Sequence, residues 1–202
     1  MKEVRVRIAP SPTGKLHIGT VRTALFNYLF AKQKKGTFIL RIEDTDVERS
    51  KKEHEKVIID GLEWLKLEAD EMPGKGDYGP YRQSERKASY SKYLKRLLEE
   101  DKAYYCFCPK EELEIEKEKQ TKKGEAPHYS GKCSNLTKEE INEYIKEGRP
   151  STIRVRNKSK IIKFNDLIRG EVEFDVSLMG DFIIAKSLSE ALYNFACVID
   201  DE

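Results

Sequence analysis

The chain has 202 residues, with 38 Lys+Arg against 36 Asp+Glu and a formal net charge of +2. A balance this close excludes a protein that holds nucleic acid by bulk charge, so any such contact must come from local patches. No apolar run approaches the roughly 20 residues that span a membrane, and the charged start is no signal peptide, so the cytoplasm is the expected compartment. There a disulfide framework is disfavoured, and the 4 cysteines read as metal ligands or core residues. The length allows one sizeable domain, or one domain with an insertion.

In chain order, Val4, Val6 and Ile8 alternate with Arg5 and Arg7, the period of a strand. Pro10 and Pro12 each lack an N–H and have a fixed φ, so the chain turns there. Gly14 adds a sterically unrestricted position. From Leu16 the residues Val21, Leu25, Tyr28 and Leu29 fall on one helical face. A helix that opens on His17 and Gly19 presents free N–H groups and the positive end of its dipole, which suits a phosphate. The plain alternative is that His17 merely caps its own helix. Gly36 ends the helix, and 37–42 predicts a strand buried on both faces. Strand–helix–strand over this length is a βαβ unit, so the fold class is α/β with a parallel sheet. Ligands of such sheets sit at the carboxyl ends of the strands. Arg7 arrives there from the first strand and Glu43-Asp44-Thr45-Asp46 from the second. Asp44 and Asp46 read as turn and cap residues. Ser50-Lys51-Lys52-Glu53 predicts a capping box for a helix over 50–67. After an acidic, glycine-rich loop, residues 81–86 lead into a helix carrying Tyr90, Leu94, Leu97 and Leu98.

Near Ala103 the character of the chain changes. Tyr104-Tyr105-Cys106-Phe107-Cys108 predicts a strand with both thiols on one face, followed by a highly charged helix from Pro109. His128-Tyr129-Ser130-Gly131-Lys132-Cys133 closes the segment. Three thiolates could form three corners of a tetrahedral zinc site, or be two partly buried thiols and an incidental third. Thr137-Lys138-Glu139-Glu140 is a second capping box. Strands are expected at 152–156, 161–164, 171–176 and 181–185. Arg149, Arg154, Arg156, Lys158, Lys160 and Lys163 make one basic cluster, either a solvated sheet face or a phosphate-binding one.

The fourteen residues from Arg7 to Thr20, with Arg-Ile-Ala-Pro-Ser-Pro-Thr-Gly leading to His17-Ile18-Gly19-Thr20, resemble the signature of the class I aminoacyl-tRNA synthetases. They are most similar to its glutamyl/glutaminyl branch, bacterial glutamyl type. Thr20 departs from the final His of the class pattern, as is usual in that branch. Arg41-Ile42-Glu43-Asp44-Thr45-Asp46 resembles a second glutamyl signature, and 192–201 a third stretch.

The resemblance implies a Rossmann-type parallel sheet interrupted by an α+β insertion that grips the acceptor stem of tRNA(Glu). Residues 1–102 would be the first half of the catalytic domain, 103–186 the insertion, and 187–202 the start of the second half. ATP, Mg²⁺ and glutamate are implied as substrates and cofactor, with a monomer as the expected state. His17, Gly19 and Thr20 take the catalytic positions; Ser11, Gly14, His17 and Gly19 meet ATP. Arg7, Ala9, Ser11, Glu43, Tyr193 and Cys197 meet glutamate, Glu43 pairing with its ammonium. A structural zinc is implied on Cys106, Cys108 and Cys133, with Tyr129 or His128 as fourth ligand. Residues 187–191 lack the family's Asp-Gly-x-Pro-Thr lead-in, and the second half of the nucleotide fold and the anticodon-binding domains are absent, so this chain alone is expected to be inactive. Two other readings stay open: a glutamyl-queuosine tRNA(Asp) synthetase, and a non-catalytic, zinc-stapled RNA-binding module.

Overall fold

The computed structural model describes residues 3–46, 48–158 and 161–202. Two compact units result, Met1–Lys87 and Ala88–Glu202.

In the first unit, strand β1 (Arg5–Ile8) pairs in parallel with β2 (Thr37–Leu40), Arg5 opposite Thr37 and Ile8 opposite Leu40. Helix α1 (Ile18–Lys34) makes the crossover, which is the expected βαβ unit. Beyond β2 the sheet gains single parallel bridges from Ile39 to Glu71 and from Ile42 to Arg82. The chain closes tightly where α1 meets β2: a side chain on Gly36 would lie 2.2 Å from the Val4 carbonyl oxygen. Only glycine fits there.

The face of α1 that packs on the sheet is not the one the leucines predicted. Ala24 and Ala31 are fully buried, and Tyr28 meets Phe38 edge-on with centroids 5.8 Å apart. Leu25 and Leu29 stay 40% and 53% exposed. Small residues let the helix backbone approach the sheet closely, so the seam runs along the alanines and turns the larger side chains outward.

Helix α2 (Lys52–Trp64) covers the sheet with Ile58 and Leu62. Its predicted capping box is not formed. Lys51, not Ser50, is the N-cap, and its ammonium has no acceptor to offer the helix's free N–H groups, while its own N–H donates to the Pro12 carbonyl at 3.0 Å.

In the second unit, helix α3 (Lys87–Glu99) buries Tyr90 and Leu94 against a four-stranded antiparallel sheet. The sheet strands are β3 (Ala103–Cys106), β4 (Thr152–Val155), β7 (Ile183–Ser187) and β8 (Glu190–Ala191), in that order. Helices α4 (Lys110–Lys122) and α5 (Lys138–Lys146) join β3 to β4. Helix α4 buries none of its residues, as its composition predicts. The Thr137–Glu140 capping box of α5 is formed in both directions. A separate hairpin, β5 (Ile161–Asp166) with β6 (Gly170–Asp175), stacks Phe164 on Phe174. The chain ends in helix α6 (Tyr193–Asp201), whose Asp200 accepts a 2.8 Å hydrogen bond from Tyr90 of α3.

Candidate active site and metal centre

The βαβ crossover of the first unit delivers its polar groups at the carboxyl ends of β1 and β2. Arg7 is the third residue of β1 and is half-buried. The chain then runs through Ala9 and the exposed Ser11 to Pro12, which is buried and whose carbonyl accepts from Lys51 N–H and meets His54 Nδ1 at 3.2 Å. These two contacts pin the turn between strand and helix. Gly14 has open space where a side chain would go, so close packing does not explain a glycine there.

His17 is the N-cap of α1. Its Nδ1 accepts the Gly19 N–H at 2.8 Å, and a side chain on Gly19 would lie 2.5 Å from the imidazole. The capping reading and the functional reading are therefore compatible. An imidazole that accepts at Nδ1 carries its proton on Nε2 when neutral, which leaves Nε2–H as a donor at an exposed helix N-terminus. Thr20 lies in the first turn of the same helix.

Glu43 follows β2 and is 5% exposed. Its carboxylate accepts from Arg41 at 3.0 Å, a buried ion pair that the sequence did not announce. Its N–H is held by the Pro10 carbonyl at 3.1 Å. Asp44 serves the backbone as predicted, accepting from Ser84 N–H and Oγ at 2.8 and 2.6 Å. Asp46 likewise accepts from the N–H and side chain of Arg49.

In the second unit Tyr193 and Cys197 stand four residues apart on α6, so they share a face. The predicted basic cluster is largely engaged internally. Arg156 pairs with Asp101 at 2.9 Å, Lys158 with the same carboxylate at 3.6 Å and Lys163 with Glu173 at 2.6 Å. Arg154 is buried, and Lys160 lies outside the described residues.

Cys106 ends β3, Cys108 follows it, and Cys133 comes from a short 3-10 turn, Lys132–Asn135. Their three sulfurs all lie within 4.8 Å of one another. Cys108 and Cys133 sulfurs are 3.6 Å apart, and the Tyr129 hydroxyl lies 3.4 Å from Cys106 and 3.3 Å from Cys108. That hydroxyl also accepts the Cys133 N–H at 2.9 Å. His128 turns to the Ala126 carbonyl and is exposed. A tetrahedral zinc centre with Zn–S near 2.3 Å and Zn–O near 2.0 Å needs sulfurs about 3.8 Å apart and sulfur–oxygen distances of about 3.5 Å. Three thiols and one phenol fit that group.

Burial pushes the Cys106 thiol up, but contacts with Tyr129, the Cys108 backbone and Arg154 outweigh it and hold the group below the ordinary thiol value. Burial pushes Cys108 up to about 12 and raises the Tyr129 phenol as well.

A parallel βαβ unit followed by a four-stranded antiparallel sheet makes a mixed α/β fold, with charged groups at the strand ends and a His17-capped helix beside them. Residues 3–202 match the family described as tRNA synthetases class I (E and Q), catalytic domain, and the chain belongs to that family. It is 55% identical over 201 residues to the glutamate–tRNA ligase of Natranaerobius thermophilus, covering 98% of this chain and 41% of that protein. The ligase of Carboxydothermus hydrogenoformans is also 55% identical, with 42% of its length covered. The crystal structure of a glutamate–tRNA ligase from Elizabethkingia meningosepticum in complex with its amino acid superposes with a TM-score of 0.89 at 41% identity, over 99% of this chain and 42% of that one. The chain thus spans about two fifths of the length of these relatives.

Proposed function

We propose that this chain forms the glutamate- and ATP-binding part of a glutamate–tRNA ligase. The observation that carries the reading is the 55% identity over 98% of the chain to a ligase of that specificity.

In the first step a glutamate carboxylate oxygen attacks the α-phosphorus of ATP. A carbon–oxygen–phosphorus linkage forms, the bond to the β-phosphate oxygen breaks, and pyrophosphate leaves. In the second step the terminal ribose hydroxyl of tRNA(Glu) attacks the acyl carbon and AMP leaves. The chain's part is positioning and charge stabilisation. Arg7 offers a guanidinium fork for a glutamate carboxylate, and Glu43 an anion for the ammonium. Ala9 and Ser11, which follow β1, would border the bound amino acid. Ser11, Gly14 and Gly19 would border ATP, while His17 Nε2–H and the α1 dipole hold its phosphates, with Thr20 in the same catalytic turn. Mg²⁺ would neutralise triphosphate charge. Residues 103–186 are proposed to grip the acceptor stem, with Cys106, Cys108, Cys133 and Tyr129 holding a structural zinc. The cytoplasm and a monomeric state complete the reading.

A charging assay with labelled glutamate on a protein that carries this chain tests it. Transfer to tRNA(Glu) is expected, with His17→Ala reducing the rate by about 100-fold or more. Transfer to tRNA(Asp) instead would replace the reading with the queuosine-directed relative.

A further inference from the structure

Arg154 is read from sequence as one exposed cation among several, yet it is 6% exposed. It sits on β4, the strand between β3 and β7, directly opposite Tyr104. Its neighbour Ile153 is fully buried in the hydrophobic core. Successive strand residues point to opposite faces, so β4 is covered on both sides, and Arg154 lies on the side of the thiol cluster.

The guanidinium carbon stands 3.8 Å from the centroid of the Tyr129 ring, closer than any other cation–ring approach among the described residues. One guanidinium nitrogen donates to the Asp181 carbonyl at 2.8 Å, while Nε is buried with no hydrogen-bond partner. Among the described residues no carboxylate forms an ion pair with Arg154. The Asp181 carboxylate is taken by Tyr104 and by the Asn157 N–H. A cation removed from water without a counter-anion is costly, so a fold that keeps one points to an anion nearby. The neighbouring ring is Tyr129, whose hydroxyl touches two of the three sulfurs.

We propose that Arg154 is a positioning residue of the metal centre: its guanidinium fixes the Tyr129 ring against the three thiols and offsets the surplus negative charge of a divalent cation held by three thiolates. The inference rests on the reading of Cys106, Cys108 and Cys133 as metal ligands. Three thiolates on a divalent ion leave one negative charge in a buried pocket, and one guanidinium cancels it. The guanidinium over the ring face holds the hydroxyl at the open corner of the tetrahedron. A lysine would carry the charge but has no planar guanidinium.

Zinc affinity is measured by competition with a chromophoric chelator on the 202-residue chain, with Co²⁺ as the spectroscopic probe. Thermal midpoints of the metal-free proteins are recorded in parallel. Arg154→Met is expected to weaken zinc binding by about 10- to 100-fold, the range for groups that orient metal ligands. Its metal-free form should melt no lower than the parent, because an apolar side chain replaces a buried cation that has no carboxylate partner among the described residues. Arg154→Lys should regain part of the lost affinity and shift the cobalt ligand-field bands. A merely structural arginine would lower the metal-free midpoint and leave the cobalt spectrum unchanged in both variants, and that pair of results overturns the proposal. Zinc affinity of Arg154→Met equal to the parent overturns it too, while leaving the metal reading intact. Cys133→Ser separates the two: a parent chain that holds zinc no better than this variant removes the metal reading, and the role of Arg154 with it.

Discussion

At the scale of single residues, the site depends on what each polar group is already bonded to. His17 shows this most clearly, since spending Nδ1 on the Gly19 N–H leaves Nε2 as the group offered outward. Glu43 is held by Arg41, so its carboxylate enters any ammonium contact already oriented. Away from the site, Glu71 receives both arms of the Arg5 guanidinium at 2.8 and 2.7 Å and the Tyr81 hydroxyl at 2.7 Å. The Arg5 hydrogen bonds hold its carboxyl below the ordinary 4.5 against the opposing effect of burial, with Tyr81 adding to the same direction. The folded state therefore binds fewer protons here than the unfolded chain. The stabilisation is complete above pH 4.5 and is lost as the pH falls through the depressed folded value. Chemical denaturation between pH 6 and roughly pH 3 should show a stability loss in this range that is smaller in Glu71→Gln. Equal acid slopes in the parent and Glu71→Gln would remove the ion pair from the account.

At the scale of elements, sequence periodicity located nearly every helix and strand but not always its inward face. The alternation of Val4, Val6 and Ile8 and the Thr137 capping box were legible because each is a local pattern with a local cause. The seam of α1 was not, because burial of Ala24 and Ala31 depends on how closely the helix approaches β2, which no residue of α1 encodes. Arg154 was misread for a related reason. Alternation in 152–156 describes a half-exposed strand, whereas β4 is central and covered on both faces. The thiol cluster was partly legible from Cys106, Cys108 and Cys133. Of the two candidate fourth ligands, only the fold shows Tyr129 turned to the sulfurs and His128 away. The α5 cap gives a test at this scale: Thr137→Ala should cost about 1 kcal/mol in urea denaturation, because it leaves the Glu140 N–H without its acceptor. An unchanged midpoint would show that α5 is held by other contacts.

At the scale of the whole molecule, the two units carry different parts of the proposed chemistry. The first holds Arg7, His17 and Glu43 on a parallel sheet; the second holds the thiol cluster, the basic residues and α6. The metal centre belongs to the second unit, so lesions there should lower the stability of that unit. The central claim is that the ends of β1 and β2 recognise glutamate while the α1 terminus recognises ATP, and equilibrium dialysis of the two ligands tests it most directly. With a protein that carries this chain, Arg7→Ala is expected to abolish measurable glutamate binding and leave ATP binding within the error of the parent. Equal loss of both ligands, or glutamate binding that survives the substitution, would contradict the account.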